Sequence, residues 1–147
     1  MRCLLDTNIL VRLALNSDPQ HPLVQDAIRK LRENQIDLCI TPQSLRELWH
    51  VLTRISSANG AGLSTATSRS VIDELLKDFT LLDDTPIIFN EWLALVSENS
   101  ISGAGCHDAN HAASARVHGV DSVLTFDISD FNRFKTAGLT LIHPGSL

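Results

Sequence analysis

No two of the three cysteines, Cys3, Cys39 and Cys106, form a C-x-x-C pair. With an odd count and wide spacing, neither a disulfide framework nor a zinc ribbon is indicated. No apolar run is long enough to cross a membrane. The stretch from Cys3 to Leu15 is broken by Asp6, Asn8 and Arg12, which also argues against a signal peptide. A reducing, cytoplasmic setting is therefore expected, with Cys3 and Cys39 as small core residues. There is no basic excess either, because the net charge is −5. A protein that grips nucleic acid by charge alone should be basic. If this chain acts on nucleic acid, cations must offset some of its acids, or a local basic strip must do the holding. Repeats, low-complexity tracts and signs of a second domain are lacking, so residues 1–147 read as a single domain.

What is present is a regular alternation of short apolar runs and amphipathic stretches. Leu4 and Leu5 end a buried strand at Asp6, and Thr7-Asn8 opens a helix carrying Ile9, Leu10 and Leu13. Beyond Asp18-Pro19, a second helix carries Val24, Ala27, Ile28 and Leu31 on one face. Leu38 to Ile40 is the next strand. Thr41-Pro42 then supplies a cap and a first-turn proline for a helix with Leu45, Leu48, Trp49, Leu52 and Ile55. Trp49 and Trp92 fall on apolar stripes and are expected in the core. Ser56 to Gly62 is a loop of small residues, followed by a helix with Val71, Leu75 and Phe79 in line. Thr80 to Leu82 is a short strand, and Thr85-Pro86 repeats the cap signal for a helix bearing Ile88, Trp92 and Leu95. An alanine-rich helix from about His107 to His118 ends at Gly119. Val123 to Thr125 is a strand, Asp127 to Phe134 a turn or short helix, and Leu139 to Ile142 a last strand. Short strands, apolar on both faces and alternating with helices, predict an α/β fold: a three-layer α/β/α sandwich around a mainly parallel sheet.

Four acids stand at telling places in this pattern. In open α/β sheets ligands bind outside the carboxyl ends of the strands. Asp6 ends the first strand, and Asp127 follows the Val123–Thr125 strand after one residue. Asp108 lies in the first turn of a helix, and Glu47 in the second turn of the helix leaving Leu38–Ile40. Each also has an ordinary explanation. Asp6 can cap the helix at Thr7, Asp108 suits a helix N-terminus, Asp127 or Asp130 can cap the turn that follows, and Glu47 can be a solvated surface acid. Gathered at one sheet edge, however, the four repel unless cations sit among them. All-oxygen ligands suit Mg²⁺ or Mn²⁺ better than zinc, and such a site activates water and neutralises a phosphodiester.

The ordered segments resemble the PIN-domain ribonucleases nearly end to end. The similar pieces are Leu4-Leu5-Asp6-Thr7-Asn8-Ile9-Leu10, Ser44-Leu45-Arg46-Glu47-Leu48, His107-Asp108-Ala109-Asn110-His111-Ala112-Ala113 and Thr125-Phe126-Asp127-Ile128-Ser129-Asp130-Phe131. The resemblance implies a PIN-like fold and a metal-dependent endoribonuclease. Asp6, Glu47, Asp108 and Asp127 would hold Mg²⁺ or Mn²⁺, with Asp130 sharing the fourth position and Asn8 and Thr125 as hydrogen-bonding neighbours. At this length the chain is most similar to VapC-type toxins, which implies a small antitoxin partner and a homodimer, with RNA as substrate and no membrane. Arg12, Arg46 and Arg54 are candidates for phosphate contact, although each is also an ordinary surface arginine.

Other readings use fewer of these residues. His107 and His111 nearly reproduce the zinc-protease spacing H-E-x-x-H, but that leaves Asp6 and Asp127 unexplained. His107-Asp108 is similar to the paired residues of all-helical phosphohydrolases, against which the strands argue. A haloacid-dehalogenase-type phosphatase wants an acid where Asn8 stands. A catalytically silent RNA-binding or assembly module, or a housekeeping RNA-processing nuclease, would keep the same fold.

Overall fold

Strand β1 (Arg2–Leu5) alternates its side chains between two buried faces, and that alternation sets the layers. Cys3 and Leu5 join one core cluster, whereas Leu4 joins the other. A computed structural model describes the backbone of residues 1–147 and the side chains of all but residues 135–137. After β1 come α1 (Thr7–Ala14), α2 (His21–Glu33), β2 (Asp37–Ile40), α3 (Pro42–Thr53), α4 (Thr65–Asp78) and β3 (Thr80–Leu81). The second half holds α5 (Pro86–Glu98), α6 (Gly105–Val117), β4 (Ser122–Leu124), α7 (Ile128–Phe131) and β5 (Thr140–Ile142), with short 3₁₀ turns between. All four strand pairings are parallel, in the order β3-β2-β1-β4-β5. The expected three-layer α/β sandwich is what forms. Helices α1 to α4 cover one face of the sheet, and α5 to α7 cover the other.

The order places β1 at the centre, with the chain moving outward through β2 and β3 before crossing back to β4. The carboxyl ends of β1 and β4 therefore flank the point where strand order reverses, which is where α/β sheets hold ligands. Local signals fix the helix starts. Asp6 caps α1 by accepting from Thr7 N, and Thr41 and Ser44 form a capping box for α3 behind Pro42. Gly119 takes φ +62° just past α6, which suits a residue without Cβ.

Four expectations need correction. Thr85 stands at the N-cap of α5, yet its hydroxyl caps nothing and is buried without a partner among the described residues. Trp49 is 37% exposed, lining a groove between α3 and α4, because only one edge of the α3 stripe reaches the core. Ile55 lies past the end of α3 and is 65% exposed. Trp92 is half-buried, its indole donating to Cys106 O at 2.8 Å. Cys3 and Cys39 are buried and unpaired, as expected.

Phe131 and Phe134 are fully buried and meet edge to face at 6.3 Å, tying α7 to the α6 side of the sheet. Phe131→Ala is expected to cost about 3–5 kcal/mol of stability, a large share of a typical domain's total. Urea unfolding measures this; a loss under 1 kcal/mol would contradict the packing described.

Candidate metal and phosphate site

Asp6 is the fixed centre of the site. It leaves β1 almost fully buried, and its backbone N–H donates to Leu124 O of β4 at 3.1 Å. Its Oδ1 accepts from Thr7 N at 2.6 Å. Its Oδ2 accepts from the Asn8 amide at 2.7 Å and the Thr125 hydroxyl at 2.6 Å. Burial pushes the Asp6 carboxyl above its ordinary pKa, against the opposing influence of His111 and these hydrogen bonds.

Asn8 reaches further. The same amide nitrogen lies 2.9 Å from Asp127 Oδ2 and 3.1 Å from Thr125 Oγ1, while Asn8 Oδ1 accepts from Phe126 N at 3.3 Å. Thr125 Oγ1 also accepts from Asp127 N at 3.0 Å. Asn8 and Thr125 thus tie the residues after β4 to the residue after β1. Asp127 occupies the N-cap position of α7 without its side chain capping it.

Glu47 comes from α3, and its half-exposed carboxylate is bound at both oxygens. Oε2 accepts from the Thr7 hydroxyl at 2.6 Å, and Oε1 from the Gln43 amide at 2.6 Å. It is therefore not the freely solvated acid that its position allowed. Burial raises its pKa, but the His111 imidazole 3.8 Å away and the Thr7 and Gln43 bonds outweigh that and lower it to about 2. Asp108, in the first turn of α6, behaves oppositely. Burial and the negative charges of Asp6, Asp130 and Glu47 push it up to about 6, with His111 opposing.

Asp6, Glu47, Asp108 and Asp127 line one open cleft of about 300 Å³ with Asn8 and Arg12. Asp130 is not on that lining, though its charge acts on Asp108. Of the three arginines, Arg12 reaches the cleft; its guanidinium donates to Asn8 O at 2.9 Å and lies 4.4 Å from the Phe126 ring centre. Arg46 turns away to Asp84 at 3.2 Å, and Arg54, at the C-cap of α3, donates to Asn59 O at 2.9 Å. Neither lines the cleft.

The donor chemistry fits a hard dication: four carboxylates, with one acid raised by burial and by its neighbours' charge. Among the described residues, however, no three His, Cys, Asp or Glu side chains are grouped closely enough to hold an ion as they stand. Asp6 is locked by its three bonds, whereas Asp108 has no side-chain hydrogen bond among the described residues. The same grouping bears on the zinc alternative. His107 is exposed and lines a separate hollow with Phe89 and Trp92, whereas His111 is wholly buried.

His111 is the residue that sequence reasoning undervalued. Its Nε2 lies 3.5 Å from Thr7 Oγ1, 3.8 Å from Glu47 Oε2 and 3.9 Å from Asp6 Oδ1. Burial depresses its pKa, but Glu47, Asp6 and Asp108 more than reverse this and raise it. Its spacing, three residues after Asp108, placed it on the same helix face; only the fold, which brings α6 beside Glu47 of α3 and Asp6 after β1, turned it onto two other acids.

The PIN-domain family model matches residues 3–136. No curated protein sequence matches the chain. Among solved structures, similar folds occur in VapBC2 from Rickettsia felis, bound to a DNA fragment from its promoter. The TM-score is 0.72 at 20% identity, covering 97% of this chain and 98% of that one. VapBC-1 from nontypeable Haemophilus influenzae gives 0.70 at 18% identity, with 99% of each chain covered. VapC20 from Mycobacterium tuberculosis, described as a sarcin–ricin loop cleaving toxin, gives 0.62 at 17% identity, covering 94% and 96%.

Proposed function

Since the chain belongs to the PIN-domain family, we propose that it is a Mg²⁺- or Mn²⁺-dependent endoribonuclease, the toxin of a toxin–antitoxin pair. One observation carries this reading: four carboxylates from β1, α3, α6 and the β4–α7 turn line a single cleft at the reversal point of the sheet. Asp6, Glu47, Asp108 and Asp127, with Asp130 alongside, would hold the ion. Bound there, Mg²⁺ or Mn²⁺ supplies positive charge for the phosphodiester and makes water a competent nucleophile. The chain's own residues do the placing. Asn8 and Thr125 keep Asp6 and Asp127 aimed into the cleft. Glu47, with its pKa near 2, is ionised throughout the neutral range. Arg12, on the cleft lining, would meet a phosphate oxygen.

A net charge of −5 disfavours broad electrostatic grip on RNA. Engagement would be local, through cations in the cleft and Arg12. The antitoxin partner and a homodimer are part of the proposal; the fold shared with VapBC structures supports the partner. Among the described residues no helix is long and apolar enough to cross a membrane.

Purified protein is expected to cleave RNA internally with Mg²⁺ or Mn²⁺ and to stop in chelator, recovering when either ion is restored. RNA binding without cleavage under both ions would favour a silent binding module. Chelator-resistant cleavage would remove the metal from the mechanism. Co-purification with a small protein encoded beside it, which suppresses cleavage, separates a toxin from a processing nuclease.

A further inference from the structure

Asn110 and His111 are consecutive on α6, and each stands behind one of the two groups that hold Glu47. We propose that Asn110, through Gln43, and His111, through Thr7, are positioning residues that fix the orientation of the Glu47 carboxylate. The proposal rests on Glu47 being one of the acids that bind the metal.

The Gln43 amide nitrogen donates to Glu47 Oε1 at 2.6 Å and to His107 O at 3.2 Å. An amide can flip, which would turn its oxygen toward the carboxylate and repel it. Asn110 prevents the flip by donating its own amide to Gln43 Oε1. On the other oxygen, the Thr7 hydroxyl spends its single proton on Glu47 Oε2 at 2.6 Å. Thr7 Oγ1 can therefore only accept from His111 Nε2, 3.5 Å away, so Nε2 carries a hydrogen in either charge state of the ring. The far side of the ring is braced too, with Nδ1 3.5 Å from Thr41 Oγ1 in the capping box of α3. His111 has no exposed edge, so its ring is held by packing as well as by these contacts.

A glutamate on an open helix face has three side-chain torsions to restrain. Here two relays from one helix restrain both oxygens, and that same helix carries Asp108. Helix α6 would thereby contribute one acid directly and aim a second that belongs to α3.

The test uses Mn²⁺ affinity by calorimetry and the thermal midpoint, beside RNA cleavage. Thr7→Val removes the hydroxyl at nearly constant shape, Thr7→Ser keeps it, Asn110→Leu removes the amide, and His111→Gln keeps one donor. Thr7→Val and Asn110→Leu are each expected to weaken Mn²⁺ binding about 10- to 100-fold, while Thr7→Ser stays near the parent. In a Glu47→Ala background neither should weaken it further, because the group they orient is gone. The proposal is overturned if Glu47→Ala weakens Mn²⁺ binding but folded Thr7→Val and Asn110→Leu do not, or if their losses persist undiminished without Glu47. If Glu47→Ala itself leaves Mn²⁺ binding intact, the assignment of Glu47 to the metal has failed instead. Should His111→Gln not fold, the Thr7 and Asn110 variants decide the matter.

Discussion

Asp6→Asn is expected to abolish metal-dependent RNA cleavage, by about 10²–10³-fold or more given what removing one preorganised electrostatic group costs, while leaving the protein close to the parent in stability. The two halves of this result have one cause. Asp6 is the most buried of the four acids, and its carboxyl is pushed above its ordinary pKa by desolvation. An acid with a raised folded pKa contributes stability that is present at low pH and lost as pH rises through that value. At neutral pH its charge is therefore a liability that folding carries. Asparagine removes the charge and keeps one acceptor, but it turns its amide NH2 toward donors, either Thr7 N or the Asn8 amide and Thr125 hydroxyl, which offsets part of that gain. Cleavage rates and thermal midpoints, measured together, separate this from simple unfolding. Activity that persists in pure Asp6→Asn protein would sink the assignment; lost activity with a collapsed midpoint would show that Asp6 serves the fold first.

Asp108→Asn should have the largest effect on how stability depends on pH. Its pKa rises from 3.8 to about 6 through burial first and then the charges of Asp6, Asp130 and Glu47. In metal-free buffer the parent should lose stability as pH climbs from about 4 to above 6. A shift of this size would correspond to about 3 kcal/mol if fully felt; for a half-exposed group, about 1–2 kcal/mol is the sounder expectation. Glu47 does not mask the effect. Its lowered pKa contributes stability that is lost only as pH falls from 4.5 toward 2, below this window. Asp108→Asn should make the profile between pH 4 and 7 shallower, leaving the slope of the same sign that Asp6 and His111 contribute with their raised pKa values, and Mg²⁺ should do the same to the parent by offsetting the repulsion. Denaturant titrations at pH 4.5 and 7.5, with chelator and with Mg²⁺, test both. An unchanged slope in the variant would mean that Asp108 does not feel the other acids.

These effects also bear on how a net-acidic chain could approach RNA. The acids that make it acidic include the four that crowd one cleft, where burial first and then their repulsion raise the pKa of Asp108. A bound cation would relieve that repulsion and supply the charge a phosphate needs. Arg12, held by Asn8 O and the Phe126 face, is the basic group fixed beside them.

Much of this was legible from residue order because it depends on local chemistry. Apolar runs of strand length, the Thr41-Pro42 cap, the acid directly after Leu4-Leu5 and the glycine after α6 each act within a few residues. They fixed the alternation of strands and helices and put Asp6 and Asp127 at strand ends. Direction around a helix, and what faces it, depends on elements far away in the chain. Periodicity placed Trp49 on an apolar stripe, but in the fold Leu48 and Leu52 of that stripe meet the core while Trp49 lines the groove between α3 and α4. Arg46 and Arg54 flank Glu47 in sequence, yet Asp84 and the turn at Asn59 draw them away from it. His111 looked like half of a zinc motif; the packing of α6 buried it between Asp6 and Glu47 instead. Sequence alone determined which acids were available and where their elements begin. The tertiary structure decided which of them share a cleft, which are held by neighbours and which arginine stands beside them, because those outcomes rest on contacts between residues up to 119 positions apart.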